Sequence, residues 1–174
     1  SISTTSLSGN LTGWDFIAIP GIITENGATI TIEMIKPINS FGDTVTISAS
    51  TSNLKGTEII IPANAVSTNT LIMVGRVNNP PGFPVTLKPQ GTVIDFRPAT
   101  GLITFNGNIT IKLPYGSGVT NPNALKVYTY KISRWEAVLI DSIDIANRLV
   151  IIKTNHFSYY TLAYEIKENL NEAR

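Results

Sequence analysis

Residues 28–36 read Ala-Thr-Ile-Thr-Ile-Glu-Met-Ile-Lys, with Ile30, Ile32 and Met34 alternating with Thr29, Thr31 and Glu33. A period of two sorts apolar and polar side chains onto opposite faces, which suits a strand with one buried face and not a helix of period near 3.6. Short β-branched runs of this kind return along the chain. They fall at residues 14–20, 44–50, 57–62, 70–77, 84–88, 92–97, 108–113, 125–131, 134–140, 148–154 and 157–164. Turn chemistry stands between them. Glu25-Asn26-Gly27 and Phe41-Gly42-Asp43 suit tight reversals, and Lys131-Ile132-Ser133-Arg134 is short enough for a hairpin. Pro80-Pro81-Gly82 and Pro98-Ala99-Thr100-Gly101 break the chain, and residues 141–147 close a further hairpin. The pattern predicts an all-β fold: a β-sandwich of about ten to twelve short, mostly antiparallel strands.

A chain of 174 residues can bury one sizeable core. Residues 1–13, rich in Ser, Thr and Gly, read as a linker or flexible start. Residues 14–53 carry the first strands, as an extension of the same sandwich or part of another module. Residues 54–164 form the main sandwich. Residues 165–174 have helical character too brief to distinguish a short helix from a loose tail. An opening Ser1-Ile2-Ser3 without Met reads as a processed or excised segment.

Charged residues are only 14% of the chain and the formal net charge is +1. Without a basic cluster to neutralise phosphates, a nucleic-acid partner is not expected. The longest apolar runs, such as residues 59–61 and 149–152, fall far short of a bilayer, so no membrane insertion is expected. The absence of cysteine excludes disulfides, thiolate metal sites and thiol catalysis. No cofactor or metal is expected. Asp141 and Asp144 lack the alternating ligand spacing of a calcium loop and suit a turn with Asn147 instead. Glu33, Glu58 and Glu136 are scattered and do not pair as glycosidase carboxylates. Trp14, Tyr115, Tyr128, Tyr130, Trp135, Tyr159 and Tyr160 offer either a carbohydrate-stacking platform or core and cross-strand packing. Tyr159 and Tyr160 point to opposite faces, so one at most is expected to be fully buried. The sequons at Asn10 and Asn108 matter only where a glycosylation machinery is met. The strand at residues 28–36 carries few charges. It is either a pairing edge through which copies assemble by strand addition, or a covered strand of the sandwich.

The order of several segments adds a resemblance. Residues 56–66 (Gly-Thr-Glu-Ile-Ile-Ile-Pro-Ala-Asn-Ala-Val) and 91–98 (Gly-Thr-Val-Ile-Asp-Phe-Arg-Pro) come first. Residues 109–115 (Ile-Thr-Ile-Lys-Leu-Pro-Tyr), Trp135 and His156-Phe157-Ser158-Tyr159-Tyr160 follow. Together these resemble the domain shared by zonula occludens proteins, ankyrins and netrin receptors, the ZU-five domain, including its bacterial surface-protein relatives. The resemblance implies a β-sandwich at the cell surface or outside the cell, used for scaffolding, spacing or adhesion. Its partners would be other protein domains or copies of itself. It also implies that Trp135 is a buried strand aromatic. Some relatives cut their own backbone between Phe and Ser of a His-Phe-Ser triplet, matched here by His156, Phe157 and Ser158.

The residue chemistry of that triplet supports two readings. Ser158 adjoins the Phe157 carbonyl and can attack it, while His156, the only histidine, has the intrinsic basicity to take the hydroxyl proton. The reaction also needs a distorted peptide and a donor for the developing oxyanion. Alternatively, the triplet starts an ordinary last strand. Phe157 is then core, and His156 and Ser158, two apart and on one face, satisfy each other or a loop carbonyl.

Overall fold

The computed structural model describes residues 21–167. The expected linker, the strand at residues 14–20, Trp14, Asn10 and most of the tail lie outside the described residues. The strands are β1 (Ile22–Glu25), β2 (Ala28–Ile38), β3 (Asp43–Thr46), β4 (Glu58–Ile61), β5 (Thr70–Asn78), β6 (Leu87–Pro89) and β7 (Ile94–Pro98). They continue with β8 (Thr104–Pro114), β9 (Lys126–Lys131), β10 (Arg134–Val138), β11 (Ser142–Asp144), β12 (Leu149–His156) and β13 (Tyr159–Glu165). Pro122–Ala124 forms a short 3₁₀ turn. The all-β sandwich is present, with thirteen antiparallel strands in two sheets among the described residues. The larger sheet runs β1-β2-β5-β7-β13-β9-β10, with β6 also on β13, and the smaller runs β11-β12-β8-β4-β3. No helix among the described residues is long and apolar enough to cross a membrane.

The main core lies between the sheets. Alternating residues of β8 (Ile109, Ile111, Leu113) and β12 (Val150, Ile152) face Ile72 and Val74 of β5, Phe96 of β7 and Tyr160 of β13, all buried. A second, smaller cluster of Ala28, Ile30, Ile32, Val77 and Val93 is packed by Phe83, Trp135 and Tyr159. The β2 alternation feeds both clusters because the register slips between Ile32 and Met34. Before this bulge, Ile30 and Ile32 join the smaller cluster; after it, Met34 and Ile38 pack with the main core. One inserted residue reverses which face the even positions take, so the single buried face expected from the sequence is split in two.

Among the described residues, strands flank residues 29–31 on both sides, whereas residues 34–38 are paired on one side only. β1 pairs with Ala28 to Thr31, and β5 runs along the other side from Thr29 to Ile38. At Gly75 of β5 an added Cβ would stand 2.7 Å from Ile30 Cγ2 and 2.9 Å from the Thr31 carbonyl, so only glycine allows β2 to lie this close. The β1–β2 hairpin turns at Asn26 and Gly27, at φ 48° and 82°, the positive-φ pair that a two-residue hairpin prefers.

Candidate functional site

The triplet does not start the last strand. His156 ends β12 in the smaller sheet and Tyr159 begins β13 in the larger, so Phe157-Ser158 is the step from one sheet to the other. The β12–β8 ladder slips between Thr154 and His156, which pairs with Thr104. Such an irregularity lets a strand leave its sheet. Phe157 fills the corner, with its ring centroid 4.9 Å from Phe105 and 6.0 Å from Phe96.

Neighbouring groups engage several polar atoms of His156 and Ser158. The Ser158 hydroxyl donates to the Tyr130 carbonyl on β9 at 3.0 Å, and the Ser158 carbonyl accepts from Phe96 N at 3.1 Å. The buried Tyr160 hydroxyl lies 3.0 Å from the His156 carbonyl and 3.2 Å from Thr154 Oγ1. His156 Nδ1 lies 3.2 Å from Thr154 Oγ1 and 3.3 Å from Asn155 Oδ1. Of the two expected arrangements, the mutual His156–Ser158 hydrogen bond is not formed: His156 ends β12, Ser158 stands in the step after it, and the flat-strand geometry behind that expectation is absent. Burial, with the nearby Lys131 charge, lowers the His156 pKa and favours neutral imidazole. None of the three residues has a positive φ.

Phe157 and Ser158 also line an open cleft of about 1050 Å³ on the larger sheet. Its floor holds a cluster that the sequence reading missed. Arg97 of β7 pairs with Asp95 of the same strand and, at 2.8 Å, with Glu25 of β1. The Tyr159 hydroxyl donates to the same Glu25 oxygen at 2.9 Å. The hydrogen bond from Arg97 holds the Glu25 carboxyl below its ordinary range despite partial burial. Asp95 responds the other way: burial outweighs the Arg97 pairing and pushes its carboxyl up to about 6. Solvent exposure decides between them, since the Asp95 side chain is 3% exposed and that of Glu25 42%.

Beside this cluster runs an aromatic row. Ring centroids lie 4.6 Å apart for Phe83–Trp135, 5.2 Å for Trp135–Tyr130 and 6.4 Å for Tyr130–Tyr159. Trp135 is half-buried against the proline loop and donates from Nε1 to the Pro81 carbonyl at 3.3 Å, so the fully buried strand aromatic implied by the resemblance is not found. Tyr115, Tyr128 and Tyr160 are buried, while Tyr159 is half-exposed. The six expected aromatics among the described residues therefore divide between core and row, and Phe83 completes the latter. Burial and Glu165, which accepts from its hydroxyl, push the Tyr128 phenol up to about 12.

The remaining candidates are held locally. Asp144 accepts from the backbone and side-chain amides of Asn147 at 3.0 and 2.8 Å, as an Asp does in a turn, and Asp141 pairs with Lys153 at 3.4 Å. Among the described residues no three His, Asp or Glu side chains gather as a metal site. Glu33 accepts from Ser52, Glu58 pairs with Lys112 at 3.0 Å and Glu136 pairs with Arg134 at 2.9 Å, each on a separate element. Asn108 is exposed on β8. No protein-family model matches the chain, and no curated protein matches it.

Proposed function

We propose that the chain is a non-enzymatic β-sandwich module, displayed outside the cell or on its surface, that scaffolds, spaces or adheres through contacts with other protein domains. The observation that carries this reading is the Ser158 hydroxyl, which donates to the Tyr130 carbonyl and ties the sheet-to-sheet step to β9. A side chain so held serves as an anchor. The ordered resemblance to the ZU-five domain supports the same use. In Ser158→Ala the Tyr130 carbonyl loses its partner, at an expected cost of about 1–2 kcal/mol. Urea unfolding reads this as a lower midpoint with an unchanged slope. A midpoint equal to the parent's would contradict the anchoring role.

A second reading, self-cleavage at Phe157-Ser158, draws support from the neutral imidazole of His156 and the position of this bond in a strandless step beside an open cleft. Ser158 Oγ would attack the Phe157 carbonyl carbon and pass its proton through His156 to the departing Ser158 nitrogen. The C–N bond breaks as the ester forms, and water then cleaves the ester to a Phe157 carboxylate and the Ser158 hydroxyl. Ser158 must first give up its bond to Tyr130.

A further inference from the structure

We infer that the cleft on the larger sheet docks an extended segment of a partner protein that presents a lysine or arginine between apolar residues. This rests on the reading as a protein-contact module and deepens it. Two loops rim the cleft. Leu102, between β7 and β8, is 101% exposed, and Ile132, at the tip of the β9–β10 hairpin, is 87% exposed. Ile132 and Ser133 occupy the turn at φ 46° and 65°. Positive φ is costly for a β-branched residue, and Asn-Gly, used at the β1–β2 turn of this same chain, makes such a turn without strain. The fold recovers nothing from Ile132, whose side chain lies in solvent. Two bare aliphatic side chains on two loops of one cleft suit the apolar parts of a guest.

The floor specifies charge. Glu25 and Asp95 share the single guanidinium of Arg97, leaving one carboxylate in excess. The Tyr130 and Tyr159 rings stand beside it and add the attraction of an aromatic face for a cation. A basic side chain meets both, whereas an acidic or neutral guest leaves the excess charge unmet. Residues 1–20 contain no Lys or Arg, so the start of the chain does not supply that cation.

The test uses two fluorescein-labelled pentapeptide pools, Leu/Ile-Xaa-Lys/Arg-Xaa-Leu/Ile and the same pool with Glu at the centre. Each is titrated against the full chain by anisotropy, with backbone amide shifts mapping the site. The basic pool is expected to bind at least tenfold tighter than the acidic one and to shift the amides of Asp95, Leu102, Ile132 and Tyr159. Ile132→Asn and Glu25→Gln should each weaken it at least fivefold. Ile132→Asn should melt no lower than the parent, because the turn is relieved. Equal binding of the two pools, shifts outside the cleft, or no binding at millimolar peptide would overturn the inference. Self-association lost in Ile132→Asn would overturn it in favour of a second copy of the chain. Cleavage of the chain at Phe157-Ser158 would instead sink the underlying reading, so the two failures are distinguishable.

Discussion

Phe96→Ala should lower stability by about 3–5 kcal/mol, the range for removing a fully buried aromatic ring. Phe96 is 1% exposed and sits where the sheet-to-sheet step meets the core. Its ring contacts Phe157 on one side and, edge-on at 5.9 Å, Tyr160 on the other, while its backbone N–H holds the Ser158 carbonyl. Removing the ring leaves a cavity beside Phe157 and Tyr160 and also loosens the corner that Phe157 fills. A chain of this size shifts its melting temperature by roughly 2–4 °C per kcal/mol, so the expected fall is about 6–20 °C. A fall under about 3 °C in a thermal melt would show that the crossover is not built on this ring.

Arg97→Met should destabilise the protein by about 2–4 kcal/mol at pH 8 and by much less at pH 5. Removing one member of a buried pair strands the other; the figure is discounted from the usual cost because Arg97 and Glu25 are partly exposed, at 22% and 42%. The sign of the pH dependence follows from Asp95. Its native pKa of about 6 lies above the ordinary 3.8, so its contribution is complete below pH 3.8 and is lost as pH rises through 6. Without Arg97 nothing opposes burial, the carboxyl moves higher still, and the loss extends further toward alkaline pH. Glu25 has the opposite linkage: Arg97 lowers its pKa, giving stability that is present above its ordinary 4.5 and lost as pH falls through the native value. Both contributions widen the gap between parent and variant from pH 5 to pH 8. Urea unfolding at pH 5, 6.5 and 8 measures it, and a gap that stays constant or narrows would contradict the assignment of Asp95 as the buried, reluctantly charged member.

Much of the sandwich was legible because a strand with one buried face must alternate, and residues 28–36, 44–50 and 108–113 do so openly. The two strands not anticipated have physical reasons for their silence. β1 is four residues long and half-exposed, and β11 lies inside an Asp/Asn-rich stretch that also reads as a turn. The bulge in β2 was invisible because composition does not record register. Sequence adjacency likewise does not say that a strand changes sheets, which is why His156 and Ser158 were placed on one face. The Glu25–Arg97–Tyr159 contacts join residues 72 and 134 positions apart, beyond any local pattern. The one available signal was Asp95 itself, an acid between Ile94 and Phe96 in a strand otherwise fit for a core.

The central claim is that Phe157-Ser158 is a structural step in an uncut interaction module. Intact mass of the full chain under denaturing conditions, after long incubation at several pH values, tests it most directly. A single full-length mass throughout is the expected result. Fragments ending at Phe157 and beginning at Ser158, absent from Ser158→Ala, would contradict it and establish Ser158 as the nucleophile of a self-cleaving site.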